Sequence, residues 1–240
     1  MSSSNSISKV KIKDYLRLLG FPNQYKPEDN ILEMICWAEQ WYETNGKPWV
    51  EAYDVNILFD AHNYFYANGI KIESPELFKR FSEAKVDRAI MLVASAGKEL
   101  EEEANKYWNE GSPDKYYFLE IYGSAVVEEL ISSNTRNICG NSEIENYSVL
   151  DRYSPGYYGW DITGQHDLYK IILQSDHRIP KEKLSVLNSG MLWPKKSQIS
   201  LNGLSKFVTK TKGNKLPCIS CFYEDCNFRK APYRLASNRM

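Results

Sequence analysis

Two stretches of the chain carry residue types that can do chemistry. The first is Asp151–Asp161, D-R-Y-S-P-G-Y-Y-G-W-D, which packs one arginine, a Pro-Gly pair, three tyrosines and a tryptophan into eleven residues. Pro155 fixes its own φ and lacks a backbone donor, and it pushes Ser154 toward an extended conformation. Gly156 takes φ > 0 without strain, so Pro155-Gly156 reads as the centre of a type II turn. Such a turn sets a guanidinium (Arg152) and an aromatic face (Tyr157) on either side of bare backbone. That combination suits a ligand with a carboxylate and a flat ring. The plainer alternative is a surface turn with aromatics packed beneath it.

The second stretch is Cys218-Ile-Ser-Cys221-Phe-Tyr-Glu-Asp-Cys226. A C-x2-C spacing lets two thiolates share one metal ion, and the third follows five residues on. No fourth ligand is specified locally; Cys36, Cys139, a histidine, a water or a substrate would serve. The plainer alternative is a set of free thiols in a C-terminal tail. Other candidates are weaker. Glu128 and Glu129 are more readily solvent-exposed than buried. Glu99 and Glu101–Glu103 read as a solvated face. His62 is a lone histidine, and His166 and His177 lack metal-ligand spacing.

The elements that must position these groups follow from periodicity and punctuation. Helices are predicted over Ser8–Leu19, Asn30–Thr44 (capped by Asn30 with Glu33), Lys98–Trp108, Tyr116–Ser132 and Asp161–Gln174. Lys71–Glu73 reads as a short strand leading to a further helix, with Ser74 as its cap and Pro75 in its first turn. Strands are predicted over Trp49–Phe59, Arg88–Ser95, Leu184–Leu192 and Ile199–Leu204. Arg88–Ser95 (R-A-I-M-L-V-A-S) is apolar enough to be buried on both faces. Gly123-Ser124-Ala125 leaves a small-residue patch for a close approach. Asn134–Val149 reads as polar and irregular.

With 240 residues and 42% hydrophobic content, the chain can build one large core or two small ones. A formal net charge of −1 gives no electrostatic case for nucleic acid or an anionic membrane. No apolar run is long enough to span a bilayer, and M-S-S-S-N-S-I-S-K lacks the apolar core of a secretory signal. Five cysteines, an odd number, fit reduced thiols and a cytoplasmic setting.

Several motifs together resemble one family. Arg152–Trp160 (R-Y-S-P-G-Y-Y-G-W) resembles the R-x-x-P-G-Y signature of the activation domain of vitamin B12-dependent methionine synthase. Met191–Ser197 (M-L-W-P-K-K-S) resembles that family's second motif. Ala94–Leu100 (A-S-A-G-K-E-L) and Gly123–Glu128 (G-S-A-V-V-E) resemble a turn and a helix of its stand-alone members, and these often end in a cysteine cluster followed by arginine, like Cys218–Arg229. The resemblance implies an α+β fold: a single domain with a bent antiparallel sheet flanked by helices. Its boundaries would be a flexible N-terminal tail over 1–10, the domain over 11–212 and a cysteine-containing tail over 213–240.

It also implies binding of S-adenosylmethionine (AdoMet), with the carboxylate on Arg152 and the adenosyl part on the Ser154 backbone, Gly156 and Tyr157. In that family the domain brings AdoMet to oxidised cob(II)alamin while an electron arrives, usually from flavodoxin. No catalytic acid or base is implied; the chain would act within a methionine synthase or related methyltransferase system. It lacks a D-x-H-x-x-G cobalamin signature, so the corrinoid would come on a partner protein. The family's paired tyrosines have no counterpart in Leu201–Lys212, and an acidic contact from the N-terminal part falls to Asp54 or Asp60. Two other readings stay open: a non-catalytic escort of a corrinoid protein with a vestigial AdoMet site, and a zinc or iron–sulfur redox protein working through Cys218, Cys221 and Cys226.

Overall fold

The computed structural model describes residues 9–22, 24–60, 64–144, 146–207, 226 and 229. Helices α1 (Ile12–Leu18) and α2 (Asp29–Asn45) lead into strands β1 (Trp49–Phe59), β2 (Phe65–Ala67) and β3 (Ile70–Ile72). Helix α3 (Pro75–Glu83), strand β4 (Arg88–Ser95) and helices α4 (Lys98–Asn109) and α5 (Pro113–Ile144) follow. The chain then runs through β5 (Ser148–Val149), a 3-10 turn at Ile162–Gly164, α6 (Gln165–Gln174), β6 (Ser185–Val186), β7 (Leu192–Trp193) and β8 (Ser197–Ser205).

Six strands form one antiparallel sheet in the order β3-β2-β1-β4-β8-β5. β1 pairs with β4 over Trp49–Asn56 and hands over to β2 from Ile57. β4 lies at the centre, buried on both faces as its unbroken apolar run predicts. Ala89, Met91 and Val93 face a core shared with α3 and α6. Leu92 and Ala94 face a second core built with α1, α2, α4 and α5. This is the α+β architecture expected from the motifs.

Local chemistry explains the closest agreements. The Ser74 hydroxyl accepts from the Leu77 N–H at 3.2 Å and Pro75 opens α3, as the cap pattern predicts. Other details differ from expectation. Glu28, not Asn30, precedes α2, and the Asn30 side chain accepts from the adjacent Ile31 N–H. The 3–4 spacing of Ile12, Tyr15, Leu16 and Leu19 predicts one apolar face for α1; Tyr15 and Leu19 are buried, but Ile12 is exposed and Leu18 turns inward. Leu184–Leu192 is not one strand but the two short strands of a hairpin, β6 and β7.

The largest departure is α5, which runs through the polar stretch expected to be irregular. Asn and Ser are poor helix formers, so tertiary packing rather than local propensity carries the helix onward. Ser133 Oγ donates to the Glu129 carbonyl at 2.8 Å and Asn134 Nδ2 to Leu130 at 2.9 Å, while Ile138 packs against the second core. Among the described residues no helix is long and apolar enough to cross a membrane.

Candidate functional site

The strand that follows α5 runs along the free side of β8. Val149 pairs with Leu204, the Leu150 N–H donates to the Gly203 carbonyl at 2.8 Å, and Tyr153 and Leu201 exchange both backbone bonds at 2.9 and 2.8 Å. Asp151 and Arg152 are left facing one residue, Asn202. This is a β-bulge, which re-aims side chains where it occurs. Tyr153 joins Leu201 in the first core. Arg152 is turned to the opposite face, toward α5, where it meets Glu128.

The expected type II turn follows directly. The Tyr157 N–H donates to the Ser154 carbonyl at 3.1 Å, and Gly156 has φ of 90°. The Gly156 N–H donates to the Trp160 carbonyl at 2.9 Å, which folds the stretch back on itself. With those donors engaged, the Ser154 N–H and the Pro155 and Gly156 carbonyls have no backbone partner among the described residues and can be offered to a ligand. The aromatics divide their roles. Tyr153 and Trp160 are buried and stack at 6.3 Å with their planes 7° apart, and Tyr157 meets Tyr153 edge-on at 5.4 Å. Tyr158 is exposed, while its carbonyl accepts the Tyr153 hydroxyl.

Arg152 is held by Glu128. One terminal nitrogen lies 2.6 and 2.7 Å from the two carboxylate oxygens, and the side chains are 11% and 13% exposed. Glu128 is therefore a buried partner of the site rather than the solvated acid expected. Burial works against the arginine's charge, but Glu128 and the Tyr157 hydroxyl outweigh it and raise its pKa further. Burial also raises the Tyr157 pKa, against the opposing pull of Arg152. Gln198 joins the cluster by donating from Nε2 to Ser154 Oγ at 3.1 Å.

The second motif closes the site from the other side. Lys195 Nζ lies 2.8 Å from Glu120 Oε1, a contact of charges rather than an aligned hydrogen bond, and Lys196 Nζ lies 3.2 Å from Glu120 Oε2. Burial lowers the Lys195 pKa, but Glu120 more than offsets it, so the group stays charged beyond the ordinary lysine range. Lys196 Nζ also donates to Ser124 Oγ at 2.9 Å, and Ser197 Oγ bonds Ser95 Oγ at 2.9 Å. The small-residue patch on α5 serves this packing. A Cβ on Gly123 would lie 2.8 Å from a Leu100 methyl and 3.1 Å from Lys196 Cγ. Glu101, expected on a solvated face, accepts the Lys195 N–H at 2.8 Å. The four stretches Ala94–Leu100, Gly123–Glu128, Arg152–Trp160 and Met191–Ser197, scattered in sequence, thus meet at one place.

The same architecture occurs in a solved structure described as "Crystal Structure of the MetH Reactivation Domain bound to AdoHcy", with a TM-score of 0.58 over 84% of this chain and 75% of that one. The chain has the MetH reactivation-domain fold. Sequence identity across the match is 11%, so the likeness is one of fold. No protein-family model and no curated protein matches the chain.

On this reactivation-domain fold the remaining expected residues lie elsewhere. Asp54 is exposed on β1 and pairs with Arg88 at 2.7 Å, with β4 between it and β8. Asp60 accepts the Tyr64 N–H at 2.9 Å. His62, Cys218 and Cys221 lie outside the described residues. Cys226 is a partly buried free thiol, and no group of three metal-ligating side chains occurs among the described residues. An open groove of about 520 Å³ runs between α2 and α4, lined by residues including Trp41, Lys47 and Glu99, but Lys47–Glu99 at 3.5 Å and Lys106–Glu103 at 3.6 Å are ion pairs there. A second groove, of about 370 Å³, passes Arg80, Ala84 and Asp151. Neither groove is lined by Arg152, whose neighbours are Glu128 and Tyr157.

Proposed function

We propose that the chain binds AdoMet at the Arg152–Tyr157 stretch and serves to reactivate a corrinoid carried on a separate protein. The observation that carries this reading is the orientation of Arg152. One nitrogen engages Glu128, while Nε has no hydrogen-bond partner among the described residues. The guanidinium keeps a donor for a second carboxylate, and a methionine carboxylate fits it. Glu128 stands beside it for the ligand's ammonium. Tyr157 and the Pro155 and Gly156 carbonyls lie next to this pair, where the adenosyl part would follow. The likeness to a reactivation domain bound to AdoHcy supports the same assignment.

In this proposal the chain does little bond chemistry itself. It holds a sulfonium methyl in place, shields it from water and presents it to the partner's cob(II)alamin while a reductant such as flavodoxin supplies an electron. Glu128, Arg152 and Tyr157 position the ligand; none is asked to move a proton.

The experiment is a calorimetric titration of the protein with AdoMet, alone and with a cob(II)alamin-loaded corrinoid protein, followed by an assay of methyl transfer to cobalt under reducing conditions. Binding that Glu128→Gln weakens supports the reading. Absence of AdoMet binding in both settings overturns it.

A further inference from the structure

We infer that Asn202, with Ser200 beside it, is part of the ligand site and takes the α-amino-acid head of the ligand that Arg152 anchors; this rests on the AdoMet reading above. Asn202 and Ser200 are fully buried on β8. Neither Nδ2 nor Oδ1 of Asn202, nor Oγ of Ser200, has a hydrogen-bond partner among the described residues, and the same holds for Arg152 Nε. Buried amides and hydroxyls are nearly always paired, because leaving them unpaired forfeits their hydration. An apolar side chain of similar size would fill either position without that cost. Four orphaned atoms on three residues call for a common partner.

Their placement makes them one group. The Tyr153–Leu201 bridge and the Leu150–Gly203 bond set the bulged residues Asp151 and Arg152 against Asn202, and Ser154 against Ser200. Alternation puts Ser200 and Asn202 on the face opposite Leu201, the face turned to α5 and Glu128. Across β8 on β4, their register partners Leu92 and Ile90 are apolar. Polarity is thus concentrated at the edge of the sheet where Arg152 enters.

The inventory matches a zwitterionic amino-acid head. Arg152 Nε and Asn202 Nδ2 donate, as a carboxylate requires. Asn202 Oδ1 accepts and Glu128 brings the negative charge, as an ammonium requires. Ser200 Oγ does either. No covalent step is involved; the residues fix orientation and discriminate the head group.

The test compares S-adenosylhomocysteine with 5′-methylthioadenosine, which shares the adenosyl group and thioether but lacks the amino-acid head. Calorimetry on the wild-type chain and Asn202→Leu should show S-adenosylhomocysteine bound about tenfold or more weakly by the variant and methylthioadenosine bound equally by both. Ser200→Ala, a smaller change, should show the same selective loss at about threefold. Equal affinity of wild type and variants for S-adenosylhomocysteine overturns the inference and assigns these atoms to buried water. A loss that is the same for both ligands also overturns it. A wild-type chain that binds neither ligand removes the AdoMet reading itself, and the inference with it.

Discussion

A single terminal nitrogen of Arg152 reaches both oxygens of Glu128, at 2.6 and 2.7 Å, so the guanidinium meets its carboxylate end-on rather than side-on. A side-on fork would engage Nε together with a terminal nitrogen. The end-on contact neutralises the charge while keeping part of the fork unused. It also gives each partner an opposite charge that offsets part of the cost of its burial.

Removing either partner should therefore act on stability as well as on binding. Arg152→Ala takes the guanidinium away from a largely buried carboxylate, and unfolding in denaturant should show a loss of about 3 kcal/mol. Glu128→Gln keeps the shape and a hydrogen-bond acceptor and should cost about half as much. A loss under about 0.5 kcal/mol for Arg152→Ala, the range of ordinary surface changes, would mean the pair is effectively solvated.

Gly156 is exposed, and its nearest obstacle to a Cβ is Ile162 Cδ1 at 3.2 Å, yet its φ of 90° is one that side chains disfavour. Gly156→Ala should cost about 1 kcal/mol through the backbone. In the AdoMet reading it should also weaken ligand binding, because a relaxed turn moves the Ser154 and Gly156 backbone. Thermal unfolding and calorimetry on the one variant separate the two effects.

Glu120 sits between Lys195 and Lys196, which are themselves only 27% and 17% exposed. Glu120→Ala should destabilise by about 2 kcal/mol because two crowded ammoniums lose their counter-charge. Adding Lys195→Met to that variant should recover part of the loss. A double-mutant cycle with no coupling between Glu120 and Lys195 would contradict the contact.

Stability should fall at high pH. Burial raises the pKa of Tyr53 to about 12, from an ordinary 10.0, and raises those of Tyr15, Tyr42 and Tyr122 still further. The folded state holds these phenolic protons more tightly than the unfolded chain does. Their contribution is fully present below pH 10 and is lost progressively as pH rises above it. The denaturation midpoint should thus drop steeply above pH 10, and phenolate absorbance should rise together with unfolding. Free titration of all tyrosines in a still-folded protein would contradict the burial.

Several features were legible in the sequence because they depend on near neighbours. The Ser74 cap and Pro75 start of α3, the both-sided burial of β4, and the Ser154–Tyr157 turn all follow from side-chain shape and backbone dihedrals within a few residues. Arg152, Gly156 and Tyr157 could be singled out for the same reason. Other features depend on register and packing between distant segments. Glu128 is joined to Arg152 across 24 residues only because α5 lies over the β8 edge, and no local rule separates it from an exposed glutamate such as Glu102. Asn202 faces Arg152 only because the strand before the turn carries one residue more than β8. The far end of α5 was illegible because poor intrinsic propensity was overridden by tertiary packing, with Ile138 against the second core. Composition and local torsions determined the turn and its candidate ligand groups; tertiary structure decided which charges and orphaned polar atoms would surround them, because burial and pairing energies exist only once the sheet and α5 have closed on each other.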